Sequence, residues 1–330
     1  MKSSPPPVET AVHGRRIRHL SPRVGLVLCA SILLGGASAS TATSPLRFEL
    51  DDNLIHVHAL VNGQPIEAVL DSGSSMIVID RAYADSHDIS AGQDAGQAAG
   101  GGNGAQTLSL STLSSLAFGP VALHDHPAVL LDLHSLSDSA GFPVQALFGR
   151  DVFAGRTVTI DYPARRLLIE PPQAAPACAA PIPYILLNGV PIITVSMTVT
   201  GQAPMQVPLI VDLGTRRYAA ALGGTFARTA AGQALIATGK QVQVGTGTGG
   251  AVPGIRAVVA ELRAGRRTLR DVPVAVTSAV KAFSIPGQAG SLGVPFWIDS
   301  RVTFDDARRQ LCFTPSSAST PGAGDPGADR

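Results

Sequence analysis

Runs in which apolar and polar residues alternate recur along most of the chain, and they predict β-strands. In one of them, Ile55, Val57 and Ala59 alternate with polar residues, and residues 192–199 repeat the pattern. Long helical patterns are few, and 35 glycines and 25 prolines interrupt the runs. The pattern therefore predicts a mainly β protein.

Two apolar runs are continuous, and each delivers an aspartate into a glycine turn. The first leads into Asp71-Ser72-Gly73-Ser74 and the second into Asp212-Leu213-Gly214-Thr215. Continuous apolar runs are typical of buried strands, and glycine lets the backbone bend close to a carboxylate. One such turn would be an ordinary hairpin turn. Two of them suggest an internal repeat that could bring the carboxylates together.

The second half of the chain repeats the order of the first. After each aspartate comes a glycine-rich loop, at residues 99–104 and 245–250, and later a short strand that ends at Gly149 or Gly293. Further segments match in the same order: 123–127 with 269–273, and 158–166 with 302–309. The repeat predicts a duplicated β domain.

The composition along the chain predicts where its segments begin and end. Several arginines, an apolar stretch at 24–34 and Ala37-Ser38-Ala39 indicate a signal peptide. The predicted segments are a signal peptide at 1–39, an N-terminal lobe at 45–172, a linker at 173–183, a C-terminal lobe at 184–315 and a disordered tail at 316–330. The leader predicts export to the periplasm or secretion. An uncleaved membrane anchor is the less favoured alternative, because the apolar stretch is short for a span.

The net charge and the cysteine content limit the binding partners and the covalent or metal links that we expect. The net charge of +1 without basic blocks argues against nucleic acid or acidic lipid. Removal of the leader would leave Cys178 and Cys312, an even pair in an oxidising compartment. This favours a disulfide over two buried thiols. Two cysteines without clustered partners do not indicate a structural zinc site.

His56 and His58 form a first pair of candidate metal ligands. The repeat aligns them with Thr194 and Ser196, which have no metal-binding imidazole. We therefore interpret the pair as the polar face of a strand, and the sequence predicts no metal site here.

His124 and His126 form a second pair, and their counterparts are Arg270 and Val272, so this position also tolerates non-ligands. The glycines of residues 245–250 spell a G-x-G-x-x-G motif, but no helix start follows, so a dinucleotide site is not predicted. We expect neither metal nor cofactor.

Taken together, the motifs resemble those of the pepsin and retropepsin superfamily of aspartic proteases. The resemblance is to the exported, retropepsin-like kind with both halves fused in one chain. It rests on the two aspartate turns and on the strands that end in Leu147-Phe148-Gly149 and Ser291-Leu292-Gly293. It covers roughly residues 45–315. It implies an all-β fold of two homologous β-barrel lobes, a bilobal pseudo-dimer with a central cleft.

The resemblance also implies an activity, that of a monomeric aspartic endopeptidase acting on peptide or protein substrates. Asp71 and Asp212 would be catalytic, sharing one proton and activating a water molecule between them. The residues implied to support the dyad are Ser72, Gly73, Ser74, Gly214 and Thr215. Those implied to form a substrate-covering flap are Gly101, Gly102, Gly104, Gly247 and Gly249.

Two positions depart from the family pattern. Leu213 stands where the family has Ser or Thr, so half of a reciprocal hydroxyl clasp between the lobes is expected to be missing. Ser291 replaces the first apolar residue of its strand. These departures keep a second hypothesis open: a catalytically weak or inactive protein that binds extended peptide in the same cleft. Pairing of two Asp71 lobes from separate chains is a variant of the first hypothesis.

Overall fold

The computed structural model describes residues 44–97, 100–102, 104, 106–173 and 178–315. The predicted signal peptide and C-terminal tail lie outside the described residues, as do residues 174–177 of the predicted linker. Below, the first half means residues 44–173 and the second half residues 178–315. Among the helices of the described residues, none is both long enough and apolar enough to cross a membrane.

The strands of the first half are β1 (Leu46–Arg47), β2 (Glu49–Asp51), β3 (Leu54–Val61), β4 (Gln64–Leu70), β5 (Val78–Asp80), β6 (Asp94–Gln97), β7 (Thr107–Phe118), β8 (Val121–Leu131), β9 (Ala146–Phe148), β10 (Thr157–Asp161) and β11 (Arg166–Glu170). Those of the second half are β12 (Ile182–Pro183), β13 (Ile185–Leu187), β14 (Val190–Thr198), β15 (Met205–Val211), β16 (Ala220–Leu222), β17 (Lys240–Gly247), β18 (Gly250–Ala264), β19 (Arg267–Val276), β20 (Gly290–Leu292), β21 (Ser300–Asp305) and β22 (Gln310–Pro315). The helices are short: α1 (Arg81–Ser86), α2 (His134–Ala140), α3 (Arg150–Phe153), α4 (Gly224–Ala227) and α5 (Ala230–Thr238), with 3₁₀ turns at Lys281–Ser284 and Val294–Phe296.

Each half forms an eight-stranded sheet, and the two sheets have the same order. The first runs β2-β3-β4-β9-β5-β8-β7-β6 and the second β13-β14-β15-β20-β16-β19-β18-β17. Extra pairings, β3 with β7 and β14 with β18, curl each sheet back on itself. The all-β fold class is confirmed. The arrangement as two lobes around a central cleft and the lobe boundaries stay predictions.

The strands that carry the two aspartates are buried on both faces, as their apolar runs predict. Ala68, Val69 and Leu70 at the end of β4 are all buried, as are Ile210 and Val211 at the end of β15. Burial on both faces removes the polar–apolar alternation that a half-exposed strand shows. Each aspartate therefore follows a strand that is packed on both faces.

A left-handed backbone conformation at the same place in each half supports the repeat. On β8 and β19, the residues on either side of Asp125 and Asp271 pair with the neighbouring strand, while the aspartates themselves are skipped. Both aspartates have positive φ, 47° and 51°. The left-handed conformation is more accessible to Asp than to most residues, and its recurrence at these two positions fits a duplicated strand.

The sequence alignment of the histidine strand is wrong by two residues. On the strands that lead to the aspartates, Val69 and Ile210 occupy equivalent positions, each two residues before its aspartate. Val69 pairs with His56, and Ile210 pairs with Ile192. The counterpart of His56 is therefore Ile192 and not Thr194.

The shift arises in the hairpin between the paired strands. In the first half Val61 pairs with Gln64 across a two-residue turn, Asn62-Gly63. In the second half Met197 pairs with Met205, so the connection is longer. A surface loop accepts such an insertion at little cost in stability, and the register on either side is unchanged.

A six-stranded sheet joins the halves, in the order β1-β11-β10-β21-β22-β12. At its centre β10 and β21 pair antiparallel, and the hydroxyls of Thr159 and Thr303 lie 3.0 Å apart. Arg150 crosses from the first half to the buried carboxylate of Asp306 at 2.9 Å. Because strands from both halves share one hydrogen-bonded sheet, their relative position is fixed by the backbone.

Cys178 and Cys312 form a disulfide, as the sequence predicts. The bridge joins the start of the second half to β22, with a sequence separation of 134 residues. In the chain-entropy account a loop of this length contributes about 4–5 kcal/mol to stability.

Replacing both cysteines with alanine should lower the free energy of unfolding by up to about 4–5 kcal/mol, measured by urea denaturation. Reductant should destabilise the wild-type protein and leave the double variant unchanged. Two thiols that alkylate in the denatured but unreduced protein would show that the bridge is absent.

Candidate active site

The two aspartate turns are built alike. Asp71 follows β4, and its backbone N–H donates to the carbonyl of Phe148 at 3.0 Å. Asp212 follows β15, and its N–H donates to the carbonyl of Leu292 at 3.0 Å. The short strands β9 and β20 run parallel to β4 and β15. Each aspartate is thus held by the strand that ends in Gly149 or Gly293.

The carboxylate of Asp71 accepts a hydrogen bond from the N–H of Gly73 at 2.9 Å. The Ser74 hydroxyl does not reach this carboxylate. It donates instead to the carbonyl of Met76 at 2.8 Å. The expectation that the Ser74 side chain steadies Asp71 is therefore wrong, because a carbonyl two residues along the chain takes the hydroxyl proton.

Asp212 has a fuller set of donors. Its Oδ1 accepts from the N–H of Gly214 at 2.8 Å and that of Thr215 at 3.2 Å, and its Oδ2 accepts from the Thr215 hydroxyl at 2.7 Å. The hydroxyls of Thr215 and Ser291 lie 2.7 Å apart. Ser291 is therefore not merely a poor apolar residue, since it extends the hydrogen bonds of Asp212 into the buried strand β20.

The carboxyl groups of Asp71 and Asp212 lie side by side, since a Cβ atom added to Gly214 would be 3.1 Å from Oδ1 of Asp71 and 3.2 Å from Oδ1 of Asp212. A Cβ atom added to Gly73 would lie 2.7 Å from Asp212 Oδ1, and one added to Gly214 would lie 3.1 Å from Asp71 Oδ1. Each turn thus places its glycine against the carboxylate of the other turn, where a larger residue would collide. The structure brings together both aspartates and both glycines.

The pair carries an electrostatic conflict. Burial, together with the charge and hydrogen bonding of Asp212, raises the pKa of Asp71 to about 8, although the N–H groups of Gly73 and Ser74 lower it. Asp71 keeps some accessible surface, but protein atoms surround it on most sides. Asp212 accepts three hydrogen bonds, and such donors favour the charged form of a carboxylate. The arrangement favours one proton on the pair, located on Asp71.

Ser72 makes the predicted contact across the two halves. Its hydroxyl donates to the carbonyl of Val211 at 2.7 Å and accepts from the N–H of Leu213 at 3.2 Å. Leu213 occupies the equivalent position in the second turn, fully buried and without a hydroxyl. The clasp between the turns is therefore made by one hydroxyl, as the sequence predicts.

The two glycine loops contact one another. The N–H of Gly249 donates to the carbonyl of Gly101, and the N–H of Gly104 donates to the carbonyl of Gly249, both at 2.8 Å. A Cβ atom on Gly247 would lie 2.4 Å from Gly101 oxygen, and one on Gly102 would lie 2.3 Å from the carbonyl carbon of Gly249. Backbones approach this closely only without side chains. All five predicted flap glycines thus lie in one contact between the halves.

Sequence reasoning missed Arg216, which follows the second turn and is buried. Its Nη1 lies 2.8 Å from the carboxylate of Asp52, and its Nη2 donates to the carbonyl of Ser139 at 3.0 Å. The amide of Asn53 donates to the Arg216 carbonyl at 2.9 Å. Arg216 therefore ties the second turn to the first half. Its place directly after the motif was a signal, but its partners are distant in sequence.

The described clusters of His, Asp and Glu that could share a metal ion lie on β2, β3 and β4 and do not include either aspartate of the pair. The chemistry available at the pair is thus that of two carboxyl groups, backbone N–H donors and hydroxyls. Such a set can transfer protons in both directions.

Comparison with known proteins supports the same assignment. Residues 57–152, which run from β3 into α3, match the family model described as aspartyl protease. This stretch contains the Asp71 turn, the first glycine loop and the strand that ends at Gly149. A search of curated proteins gives no match. The matching stretch, together with the repeated turns, supports assignment to the aspartic protease superfamily.

Proposed function

We propose that this protein is an aspartic endopeptidase in which Asp71 and Asp212 are the catalytic pair. The observation that carries the proposal is the close approach of two carboxyl groups supplied by equivalent turns. Two ionised carboxylates in such contact would repel each other, and sharing a proton removes the repulsion. One group is then an acid and the other a base, which is what peptide hydrolysis by water requires.

In the proposed cycle a water molecule lies between the carboxyl groups. Asp212 takes a proton from the water, and the water oxygen attacks the carbonyl carbon of the peptide bond. Asp71 gives its proton to the carbonyl oxygen, and a tetrahedral diol forms. In the next step the carboxyl groups exchange roles: Asp212 protonates the leaving amine, and Asp71 recovers the proton of the diol. The C–N bond breaks, and the pair returns with one proton.

The contact between the glycine loops supports a role as a flap. A substrate that reaches the pair from the side of the loops would require the bonds of Gly249 to Gly101 and Gly104 to open. Backbone contacts without side chains between them can open and re-form at low cost. We therefore propose that the five glycines cover an extended peptide substrate.

A second candidate is a weakly active or inactive protein that binds extended peptide. The observation that favours it is Leu213, which leaves the clasp between the turns with one hydroxyl where the resemblance implies two. The asymmetry at Ser74 adds to it, since Asp71 accepts no bond from that hydroxyl. Activity on unfolded protein separates the two candidates.

We further propose that the protein is exported and acts as a monomer. The Cys178–Cys312 bridge supports export, because disulfides persist in oxidising compartments, and the leader pattern of residues 1–39 agrees with it. Monomeric action is supported by the supply of both carboxyl groups from one chain.

Asp71→Asn and Asp212→Asn should each abolish hydrolysis of a denatured protein substrate without unfolding the enzyme. Asn preserves the side-chain shape but cannot pass the shared proton. The loss should exceed the ~10²–10⁴-fold typical of a single acid–base group, because the two act as a unit. The exposed Asp138→Asn is the matched control. Near-normal rates for Asp212→Asn beside a dead Asp71→Asn would contradict the intramolecular pair and favour pairing of lobes between chains.

The missing half of the clasp can be tested with Leu213→Thr and Leu213→Val, which have nearly the same shape. A Thr hydroxyl that donates to the Leu70 carbonyl, mirroring Ser72, should make the Thr variant more stable than the Val variant by about 0.5–1.5 kcal/mol. Urea denaturation measures the difference. A Thr variant that is less stable than Val would show a buried hydroxyl without a partner, and the mirrored clasp would be excluded.

The raised pKa of Asp71 predicts how stability depends on pH. Between about pH 4, where an unfolded aspartate titrates, and about pH 8, only the folded protein keeps the proton. Stability therefore falls as pH rises across this range. Asp71→Asn should be more stable than wild type at pH 7, and the gain should shrink towards pH 4, as measured by thermal unfolding. A pH-independent difference would contradict the shift. Activity should decline as pH rises through about 8.

A further inference from the structure

A cluster of three carboxylates and two imidazoles lies on the outer face of β2, β3 and β4. Its members are Glu49, Asp51, His56, His58 and Glu67. None of them contributes to the hydrogen bonds of the aspartate pair. His56 is nearly fully buried, with 8% of its surface exposed, and the ring of Phe142 stacks on it at 4.3 Å between centroids.

Glu67 fixes how His56 presents its two nitrogens. The carboxylate of Glu67 lies 2.5 Å from His56 Nε2 and 2.9 Å from His58 Nδ1, which are hydrogen-bond distances. A carboxylate only accepts, so His56 donates its Nε2–H to Glu67. The other nitrogen, Nδ1, is then the one that can offer a lone pair to a metal ion.

His56 Nδ1 faces two more carboxylates. His56 Nδ1 lies 3.7 Å from Glu49 Oε2 and 3.7 Å from Asp51 Oδ2, and it has no hydrogen-bond partner. Nδ1 of His56 and the two carboxylate oxygens therefore form a group of three electron-rich atoms. Two atoms bound to one tetrahedral zinc ion at its usual ligand distances are about 3.3–3.6 Å apart. The observed separations fit a shared cation and are too long for hydrogen bonds.

We propose that Glu49, Asp51 and His56 Nδ1 bind a divalent transition-metal ion such as Zn²⁺. Imidazole with carboxylates is a donor set that suits zinc. Glu67 acts as the outer partner that orients the histidine, an arrangement common in metal sites. The ion would link β2 to β3. The outer partner lies on β4, the strand that leads into Asp71.

The second half of the chain provides an internal comparison. The paired registers of β2, β3 and β4 match those of β13, β14 and β15 position by position. The counterparts of Glu49, Asp51, His56, His58 and Glu67 are Ile185, Leu187, Ile192, Thr194 and Pro208. The fold therefore does not require polar residues here, and the first half departs from an apolar pattern at all but one of the five positions. This replaces the expectation that the histidines are merely a polar strand face.

The test is titration of the full chain with Zn²⁺ after chelator treatment, with binding measured by calorimetry. A second titration uses Co²⁺ as a substitute ion and measures its visible absorption. One ion per chain is expected, and Zn²⁺ should raise the midpoint of thermal unfolding. Glu49→Gln and Asp51→Asn, both at exposed side chains, should each weaken binding by at least ~10-fold, and Glu67→Gln by ~10–100-fold. The matched control is His134→Gln, which removes an exposed His134–Asp138 pair that could bind zinc adventitiously.

Absence of Zn²⁺ binding, or binding that Glu49→Gln and Asp51→Asn leave unchanged, would overturn the proposal. Binding that is lost only with His134→Gln would overturn it as well. The same titration on Asp71→Asn separates this site from the aspartate pair, because the variant should bind zinc as the wild type does. Failure of the proposed peptidase activity would therefore leave the result of the zinc test unaffected.

Discussion

The structure depends on holding two carboxyl groups in contact when each would repel the other if both were charged. No single turn can do this, because each turn supplies one carboxylate and places its glycine against the carboxylate of the other. Gly73 lies against Asp212 and Gly214 against Asp71. The halves must therefore be fixed to within a fraction of an ångström, since a displaced turn would leave a buried carboxyl without its partner.

Several devices meet that requirement. The central pairing of β10 with β21 joins the halves through backbone hydrogen bonds. Ser72 ties the two turns together, and Arg216 ties the second turn to Asp52 of the first half. The disulfide fastens the start of the second half to β22. The interface is symmetric in its backbone and asymmetric in its side chains: Asp212 has three donors, whereas the Ser74 hydroxyl bonds elsewhere. The proposed cycle uses that asymmetry, with Asp71 as the first acid and Asp212 as the first base.

Much of this could be predicted from sequence because it depends on local patterns. The buried runs before Asp71 and Asp212, the repeat order and the cysteine pair each have a signature in consecutive residues. The two aspartates with a left-handed backbone, Asp125 and Asp271, also align without gaps. What failed depended on geometry that the residues alone do not determine. The Ser74 hydroxyl donates to the Met76 carbonyl, and the residue type alone does not determine which oxygen a hydroxyl meets.

The same limit explains the histidines. Aligning His56 with Thr194 ignored the longer hairpin between β14 and β15, so the cluster on the outer face looked unremarkable. Arg216 was missed because its partners, Asp52 and Ser139, are distant in sequence. Contacts between the glycine loops were also outside the reach of the pattern, since glycine composition indicates a loop without saying what it touches.

The most direct test of the shared-proton pair uses two peptide analogues of one sequence. In one, a secondary hydroxyl replaces the carbonyl of the bond to be cleaved, and in the other a methylene does. The hydroxyl mimics the tetrahedral diol, and such mimics bind at least ~10²-fold more tightly than ground-state ligands. The account predicts that the hydroxyl peptide binds wild type at least ~10²-fold more tightly than the methylene peptide, and that Asp212→Asn removes the difference. Equal affinity of the two peptides for wild type would contradict the catalytic pair and leave a protein that only binds peptide.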